Sequence, residues 1–505
     1  MEQILQYFPK NKTPRHSQEV VIQETISAIK AGYQNILIEA PVGSGKSAIA
    51  LSLSNYMKEG HILTPRKSLQ TQYEEDFIGE LVGMRGRKAY TCEVDKRKTT
   101  ADCVLRRKEG YAECADTICP YVKAIRAAQD NSCVVHNYHS FIYQAALYGR
   151  FEVRPIILFD EAHEIPNIVR EFSTSDLQIQ TSLIPKTFVF PEKWSPEALG
   201  DLILSVLQNN TEDNLGESTI KYLDGQLLKL GTNAQFLTED NYVFGFEQNR
   251  YTGITSVSFI PIRVGGACES LLYSFGNTRI FLSGTIYSKN TYCSMVGLDP
   301  EKTKFIKVDS TFPAANRPVY LRQNLAVDTS FKEWDNNFSR LVTSIKEVMT
   351  KFGDAKGLIH APSYKAAGEL VLALADTNRV VTHTPETTEL ALAEFYADKG
   401  NKVFISPTCQ QGVDFKYDRA KFQIILRVPY PNASDLFVKG MLNRKDYFWY
   451  KYQALVIFGQ QLGRVVRAED DFGATILLDS RFSKFLKENW SMFPSWLTTS
   501  FKLDK

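Results

Sequence analysis

The sequence predicts an α/β protein of two parallel-sheet lobes, with two insertions interrupting the first. Short apolar runs alternate with amphipathic stretches from Asn35 onward, the pattern of strands joined by covering helices. The runs fall into two sets, separated by the hinge-like stretch DSTFPAANRPVY from Asp309 to Tyr320. The first set is broken twice by stretches of different composition, about Gly83 to Cys133 and about Arg170 to Arg250.

The first set contains NILIEA from Asn35, HILTP from His61, IILFDE from Ile156 and RIFLSGT from Arg279. The second contains KGLIHA from Lys356, RVVTHT from Arg379, KVFISPT from Lys402, FQIILRV from Phe422 and ATILLD from Ala474. Between members of the second set lie helical patterns, SYKAAGELVLALAD and YQALVIFGQQLGRVVR. The second insertion reads as mostly helical, with SPEALGDLILSVLQ and STIKYLDGQLLKL set among polar loops. Lobe 1 is therefore expected over 1–82, 134–169 and 251–312, with insertions at 83–133 and 170–250 and lobe 2 over 313–505.

A chain of 505 residues has room for roughly three to four domain-sized units. Its apolar content of 44% and charged content of 23% are ordinary for a soluble globular protein. It opens on neither a basic nor a long apolar segment, and no run is long enough to cross a bilayer, so a soluble, cytoplasmic protein without a membrane partner is expected. The net charge of +2 does not itself announce nucleic acid. Nine Lys/Arg against three acids between Arg85 and Lys108 do form a local basic excess, which suits phosphates or is simply a solvated face.

The segment NILIEAPVGSGKS followed by AIALSLSNYM is a strand, a glycine-bearing loop and a helix. Backbone N–H groups of such a loop, Gly43, Ser44 and Gly45 among them, cradle the phosphates of ATP at a helix N-terminus. Lys46 is placed to reach the β- and γ-phosphates and Ser47 to hold Mg²⁺, although Ala40 stands where the usual pattern begins with glycine. IILFDEAH delivers Asp160 and Glu161 to the carboxyl end of a strand, Asp160 for Mg²⁺ and Glu161 to activate water. In QQLGRVVR, Arg464 and Arg467 are expected three apart on one helix face, where they would meet the γ-phosphate from the opposite lobe. Each pair alone could be surface charge; together they form an ATP-hydrolysing site that depends on lobe closure.

Four of the eight cysteines lie close in sequence: Cys92, Cys103, Cys114 and Cys119. Four thiolates suit a [4Fe–4S] cluster or a structural zinc. Zinc sites usually carry tight CxxC pairs, which are absent here, but spacing alone leaves the metal open. Cys133, in an apolar strand-like run, is the substitute if one of the four is not a ligand.

Read in order, these motifs resemble the XPD/DinG group of superfamily 2 DNA helicases. RHSQ (Arg15, Gln18) is similar to the adenine-side segment, TPRKSLQTQ from Thr64 to a strand-contacting motif, and LSGT to the motif coupling ATP to nucleic acid. CPYVKAIRAAQDNSCVVHNYHSF, STFPAANR, APSYK, QQGVDF and QQLGRVVRAEDDFG follow in the family's order. The resemblance implies two RecA-like lobes, a [4Fe–4S] domain and an arch in the two insertions, and ATP-dependent 5′→3′ unwinding of DNA, with a place in DNA repair. It places Asp414 and Gln460 at the nucleotide, and Thr64, Arg66, Asn137, His139, Ser363, Tyr364 and Gln411 along single-stranded and forked DNA. The basic residues near the cysteines, with Tyr90, Tyr111 and Tyr121, would then grip backbone and stack bases at the fork. Two departures stand out: LSGT replaces Ser-Ala-Thr, and the arch-like insertion is short. The alternatives are a translocase or remodeller that does not unwind, and an ATP-gated clamp; either could act on RNA. Nothing in the sequence demands a partner protein, and a monomer is compatible with it.

Overall fold

The computed structural model of the chain describes residues 5–103, 114, 118–238, 240–408, 415 and 417–503. Lobe 1 opens with β1 (Asn35–Glu39), β2 (Gly60–Thr64), β3 (Val82–Met84), β4 (Cys133–Asn137) and β5 (Arg154–Asp160). A small antiparallel sheet of β6 (Ser175–Gln180), β7 (Tyr242–Asn249) and β8 (Ile254–Pro261) interrupts it before the lobe resumes with β9 (Gly276–Ser283) and β10 (Thr303–Lys307). The lobe 1 strands form one parallel sheet in the order β10-β1-β9-β5-β2-β4-β3. Its strands read as continuous apolar runs because helices cover both faces. Ile36, Ile38, Ile156 and Leu158 pack into one core, while Leu37, Ile157 and Phe159 pack into the other.

Lobe 2 is a second parallel sheet of β11 (Val319–Leu321), β12 (Gly357–His360), β13 (Val380–Val381), β14 (Val403–Ser406), β15 (Phe422–Ile425), β16 (Ala474–Leu477) and β17 (Phe501–Leu503). The order is β13-β14-β12-β15-β16-β11-β17. β11 draws the end of the expected hinge stretch into this sheet.

Two sequence expectations change. The second insertion is mostly helical as expected, with helices Pro196–Asn209 and Glu212–Asn233, but β6 and β7 within it also form a three-stranded sheet with β8, which lies beyond the expected boundary at 250. The alternation that marks β8 is real, with Val257 and Phe259 buried between half-exposed neighbours, but it is too short to outweigh the polar residues around it. Second, the helix Tyr447–Leu462 stops before the arginines, capped by Gly463, whose N–H donates to Gln461 and Gly459 carbonyls. Val465 and Val466 then enter an apolar cluster with Phe312, Phe404 and Phe415, which favours an extended path over another helical turn. Among the described residues, no helix is long and apolar enough to cross a membrane.

Candidate functional site

β1, β9 and β5 are neighbours in the sheet, so the loop after β1, LSGT after β9 and DEAH after β5 emerge side by side at one edge. Such an edge, beyond the carboxyl ends of parallel strands, is where open α/β sheets hold ligands. Gly43 and Gly45 take φ of 80° and 77°, left-handed values that glycine adopts readily. They turn the loop into the N-terminus of helix Lys46–Met57. Arg15 and Gln18 brace this loop from behind. Arg15 Nη1 donates to the Gly43 carbonyl (2.6 Å), and Gln18 Nε2 donates to the Ser44 carbonyl (3.1 Å).

The carboxylates lie across from the loop. Lys46 Nζ stands 3.6 Å from Glu161 Oε1. Tyr73, fully buried, donates its hydroxyl to Asp160 Oδ2 (3.0 Å) and is hydrogen-bonded to Ser47, tying together the two residues expected to hold Mg²⁺. Burial and the neighbouring Glu161 push the Asp160 carboxyl up. Burial alone would also raise Glu161, but Lys46, His163, Arg464 and Arg467 outweigh it and hold Glu161 ionised. Glu161 sits at φ 49°, a left-handed conformation uncommon outside glycine and characteristic of constrained functional turns.

From Glu161 a chain of polar contacts crosses to lobe 2. His163 Nδ1 lies 3.4 Å from Glu161 Oε2 and 2.9 Å from Ser283 Oγ. Ser283 Oγ accepts from the Thr285 N–H (3.2 Å), and Thr285 Oγ1 accepts from Gln460 Nε2 (2.8 Å). Arg464 donates to Gln460 through both its side-chain amide oxygen (3.2 Å) and its carbonyl (3.1 Å). Two glycines let this part of lobe 2 approach so closely. A Cβ on Gly459 would lie 1.8 Å from Tyr287 Oη, and one on Gly463 would lie 2.9 Å from Val42. The resulting cleft is narrow, lined by Pro41, Val42, Lys46 and Glu161 on one side and by Gln460, Gly463 and Val466 on the other. Although Arg464 and Arg467 do not share a helix, both lie near enough to lower the Glu161 pKa.

The residues expected along DNA are placed as follows. Thr64 and Asn137 are register partners at the carboxyl ends of adjacent β2 and β4. Asn137 donates to the Pro65 carbonyl (2.9 Å) and accepts from the His139 N–H (3.1 Å). His139 stands 3.7 Å from Glu171, and Arg66 is half-buried near the charges of Glu161 and Glu164. In lobe 2, Ser363 caps helix Tyr364–Ala373, and the Tyr364 ring packs edge-on against His383. Gln411 and Asp414 lie outside the described residues.

Cys92, Cys103, Cys114 and Cys119 line one small cavity together with Arg87, Thr100 and Tyr121. All four are free thiols and partly exposed, and burial plus the other three thiols raise the Cys114 pKa. Four thiols facing one cavity fit a cluster or metal in kind and number, although among the described residues no three ligands stand grouped closely enough to hold an ion. Cys133 is buried in β4, away from this cavity. Of the tyrosines expected to stack bases, Tyr121 is only 3% exposed and packs in the lobe 1 core, so it is a structural residue. Tyr90 packs edge-on against it, while Tyr111 lies outside the described residues.

Sequence reasoning missed Tyr73, which has no motif of its own, and the pairing of His163 with Ser283, which could have been sought from DEAH and LSGT occurring together.

Two protein-family models match the chain: a helicase C-terminal domain over residues 346–500, and a type III restriction enzyme res subunit over residues 11–181. The chain is 32% identical over 102 residues to the regulator of telomere elongation helicase 1 homolog of Caenorhabditis elegans, a stretch covering 17% of this chain and 10% of that protein's length. It is 20% identical over 603 aligned positions to the ATP-dependent DNA helicase YoaA of Escherichia coli, covering 93% of this chain and 91% of that one. A solved XPD helicase structure matches with a TM-score of 0.67 and 15% identity, over 98% of this chain and 100% of the other. The chain has the fold of the solved XPD helicase structures, and together with the helicase C-terminal domain over residues 346–500 these matches support an ATPase/helicase type of enzyme.

Proposed function

We propose that the chain is an ATP-dependent DNA helicase that moves 5′→3′ on single-stranded DNA and separates duplex, using ATP hydrolysed between its lobes. The observation that carries this reading is the polar chain from Glu161 through His163, Ser283 and Thr285 to Gln460 and Arg464. A site that only bound nucleotide would not need the carboxylate of lobe 1 wired to the arginine of lobe 2. In this reading Gly43, Ser44, Gly45 and Lys46 hold the phosphates of ATP, and Ser47 and Asp160 hold Mg²⁺. Glu161, kept ionised, accepts a proton from the attacking water, while Arg464 and Arg467 neutralise charge on the γ-phosphate in the transition state. Because the arginines come from lobe 2, hydrolysis reports lobe position, and the Thr285–Gln460 contact transmits it. Arg15 and Gln18 secure the loop, with Gln460 and Asp414 completing the nucleotide side.

Thr64, Arg66, Asn137 and His139 of lobe 1 and Ser363, Tyr364 and Gln411 of lobe 2 then track the DNA backbone. Cys92, Cys103, Cys114 and Cys119 hold a [4Fe–4S] cluster, which supplies a rigid anchor for an insertion too small to bury much core of its own. The match to a DNA helicase over nearly the whole chain supports DNA as the track.

Glu161→Gln is the test. DNA-stimulated ATP hydrolysis should fall about a hundredfold or more, with nucleotide binding kept. The wild-type protein should displace a strand from a 5′-tailed duplex and not from a 3′-tailed one. Hydrolysis without displacement would replace unwinding by translocation, and hydrolysis that survives Glu161→Gln would remove the mechanism.

A further inference from the structure

The two residues that resemble an adenine reader are already engaged elsewhere. Gln18 accepts the Arg15 N–H at Oε1 (2.9 Å), and its Nε2 donates to the carbonyls of Ser44 (3.1 Å) and Gly45 (3.5 Å). Both ends of its amide are therefore used within the protein, and the side chain is 5% exposed. A Cβ on Gly45 would lie 2.1 Å from Gln18 Nε2, so the amide is wedged under the loop rather than aimed at a ligand.

The cleft offers another place. Phe312, from the hinge, lays its ring against the loop: a Cβ on Gly43 would lie 2.1 Å from its Cζ. Beyond it, Arg317 stacks its guanidinium on the indole of Trp496 at 4.7 Å and donates from Nη2 to the carbonyls of Phe312 (3.0 Å) and Trp496 (3.3 Å). Its Nε–H is buried and has no acceptor among the described residues. Thr475 accepts from Gln423 Nε2 (2.8 Å), which leaves its own hydroxyl hydrogen to donate. Val42, Val319, Val466 and Leu497 supply the rest of the lining. Burial lowers the Arg317 pKa to about 10, so the group remains a cation at neutral pH.

We propose that Phe312, Arg317 and Trp496 form the base-recognition site for the nucleoside triphosphate, holding a purine between the lobes, while Arg15 and Gln18 only shape the phosphate loop. The inference rests on the nucleotide reading of that loop given above. A purine matches the chemistry: a flat apolar ring system for Phe312 and the valines, and ring-nitrogen acceptors for the Arg317 and Thr475 donors. The cation over Trp496 adds a polarised edge for the base to stack beside. Because Arg317 and Trp496 belong to the hinge and lobe 2, base binding would draw the lobes together before any phosphate chemistry occurs.

The test compares Mg·ATP with Mg·tripolyphosphate, which lacks base and sugar, by calorimetric titration of the full chain. Wild-type protein should bind ATP more tightly than tripolyphosphate. Arg317→Ala should weaken ATP about tenfold while leaving tripolyphosphate affinity unchanged, which also shows that the loop remains folded. Arg317→Lys should recover part of that loss, and Trp496→Leu should weaken ATP alone. Gln18→Ala should weaken both ligands alike. The proposal is overturned if Arg317→Ala weakens both ligands equally or neither, or if Gln18→Ala selectively loses ATP. If tripolyphosphate fails to bind the wild-type chain, the phosphate-loop reading itself falls and takes this inference with it.

Discussion

The ATP edge of lobe 1 and the cysteine-bearing insertion are built on opposite principles. The edge stands on β1, β9 and β5, whose apolar side chains are buried on both faces of the sheet, and Tyr73–Asp160 and His163–Ser283 hydrogen bonds tie its polar groups together. Among its described residues the insertion buries apolar side chains such as Tyr121 and Ile125 against the lobe 1 core, and its thiols are partly exposed. Much of its basic charge is met by solvent-facing partners: Lys96 with Glu93, Arg97 with Asp95 (3.0 Å) and Lys98 with Asp95 (3.7 Å). Such exposed pairs contribute little to stability. The edge is therefore held in shape by the protein, and in the proposed reading a ligand at the four thiols would do the same for the insertion. Damage should stay local in each case, and that separation can be tested.

The largest effect is expected at the edge. Arg464→Ala removes a cation that acts on Glu161 and the donor to Gln460. Turnover should fall about a thousandfold in steady-state ATP hydrolysis, with Kd for ATP changed little. An equal loss in affinity would mean that Arg464 serves ground-state binding instead. The iron content and absorbance of the purified protein should not change, because Arg464 acts at Glu161 and Gln460 whereas the four cysteines line a different cavity.

Cys103→Ser is the converse. Iron should be lost and strand displacement should drop at least about tenfold, while ATP hydrolysis without DNA stays near wild type. A colourless wild-type protein that contains zinc would keep the anchor and change its chemistry. Loss of basal hydrolysis on Cys103→Ser would break the comparison, since the insertion would then be supporting the edge.

The same contrast explains what could be read from the sequence. The loop after β1, DEAH and LSGT specify backbone turns at strand ends, so their local patterns carry their placement, and β1, β2, β5 and β9 were legible whereas the edge strands β3 and β10 were not. Arg464 and Arg467 were legible as residues but not as a helix pair, because Gly463 and the burial of Val465 and Val466 decide that path through contacts from Phe312 and Phe415. Tyr73 and Trp496 were invisible: one reaches Asp160 across 87 residues, and the other meets Arg317 across 179. Tyr121, expected to stack bases because it shares an insertion with the basic stretch, instead packs with its helix on the lobe 1 core. The antiparallel sheet of the second insertion lacked a strong pattern because much of β7 is exposed.

Tyr73→Phe sharpens the account of the edge at a smaller scale. It deletes only a hydroxyl, removing the donor to Asp160 and the link to Ser47. The Mg²⁺ concentration needed for half-maximal hydrolysis should rise about tenfold, as expected when a partner orienting a metal ligand is lost. Turnover at saturating Mg²⁺ should largely recover. If it does not, Tyr73 holds the carboxylate geometry for catalysis as well as for the metal.

The smallest effect concerns one hydrogen bond by which the edge addresses lobe 2. Thr285→Val and Gln460→Ala each remove one side of the 2.8 Å Gln460–Thr285 contact. In a double-mutant cycle on DNA-stimulated hydrolysis, the pair should show a coupling of about 1 kcal/mol, the size expected of one buried neutral hydrogen bond. Gln460 also accepts from Arg464, so Gln460→Ala should cost more than Thr285→Val, and the surplus measures the arginine's anchor rather than the interlobe contact. Additive effects would mean that the lobes communicate through the packing of Tyr287 and Gly459 instead. The four cysteines line a different cavity from Thr285 and Gln460, so the coupling should be the same in Cys103→Ser protein. A coupling that vanished there would tie the two regions together after all.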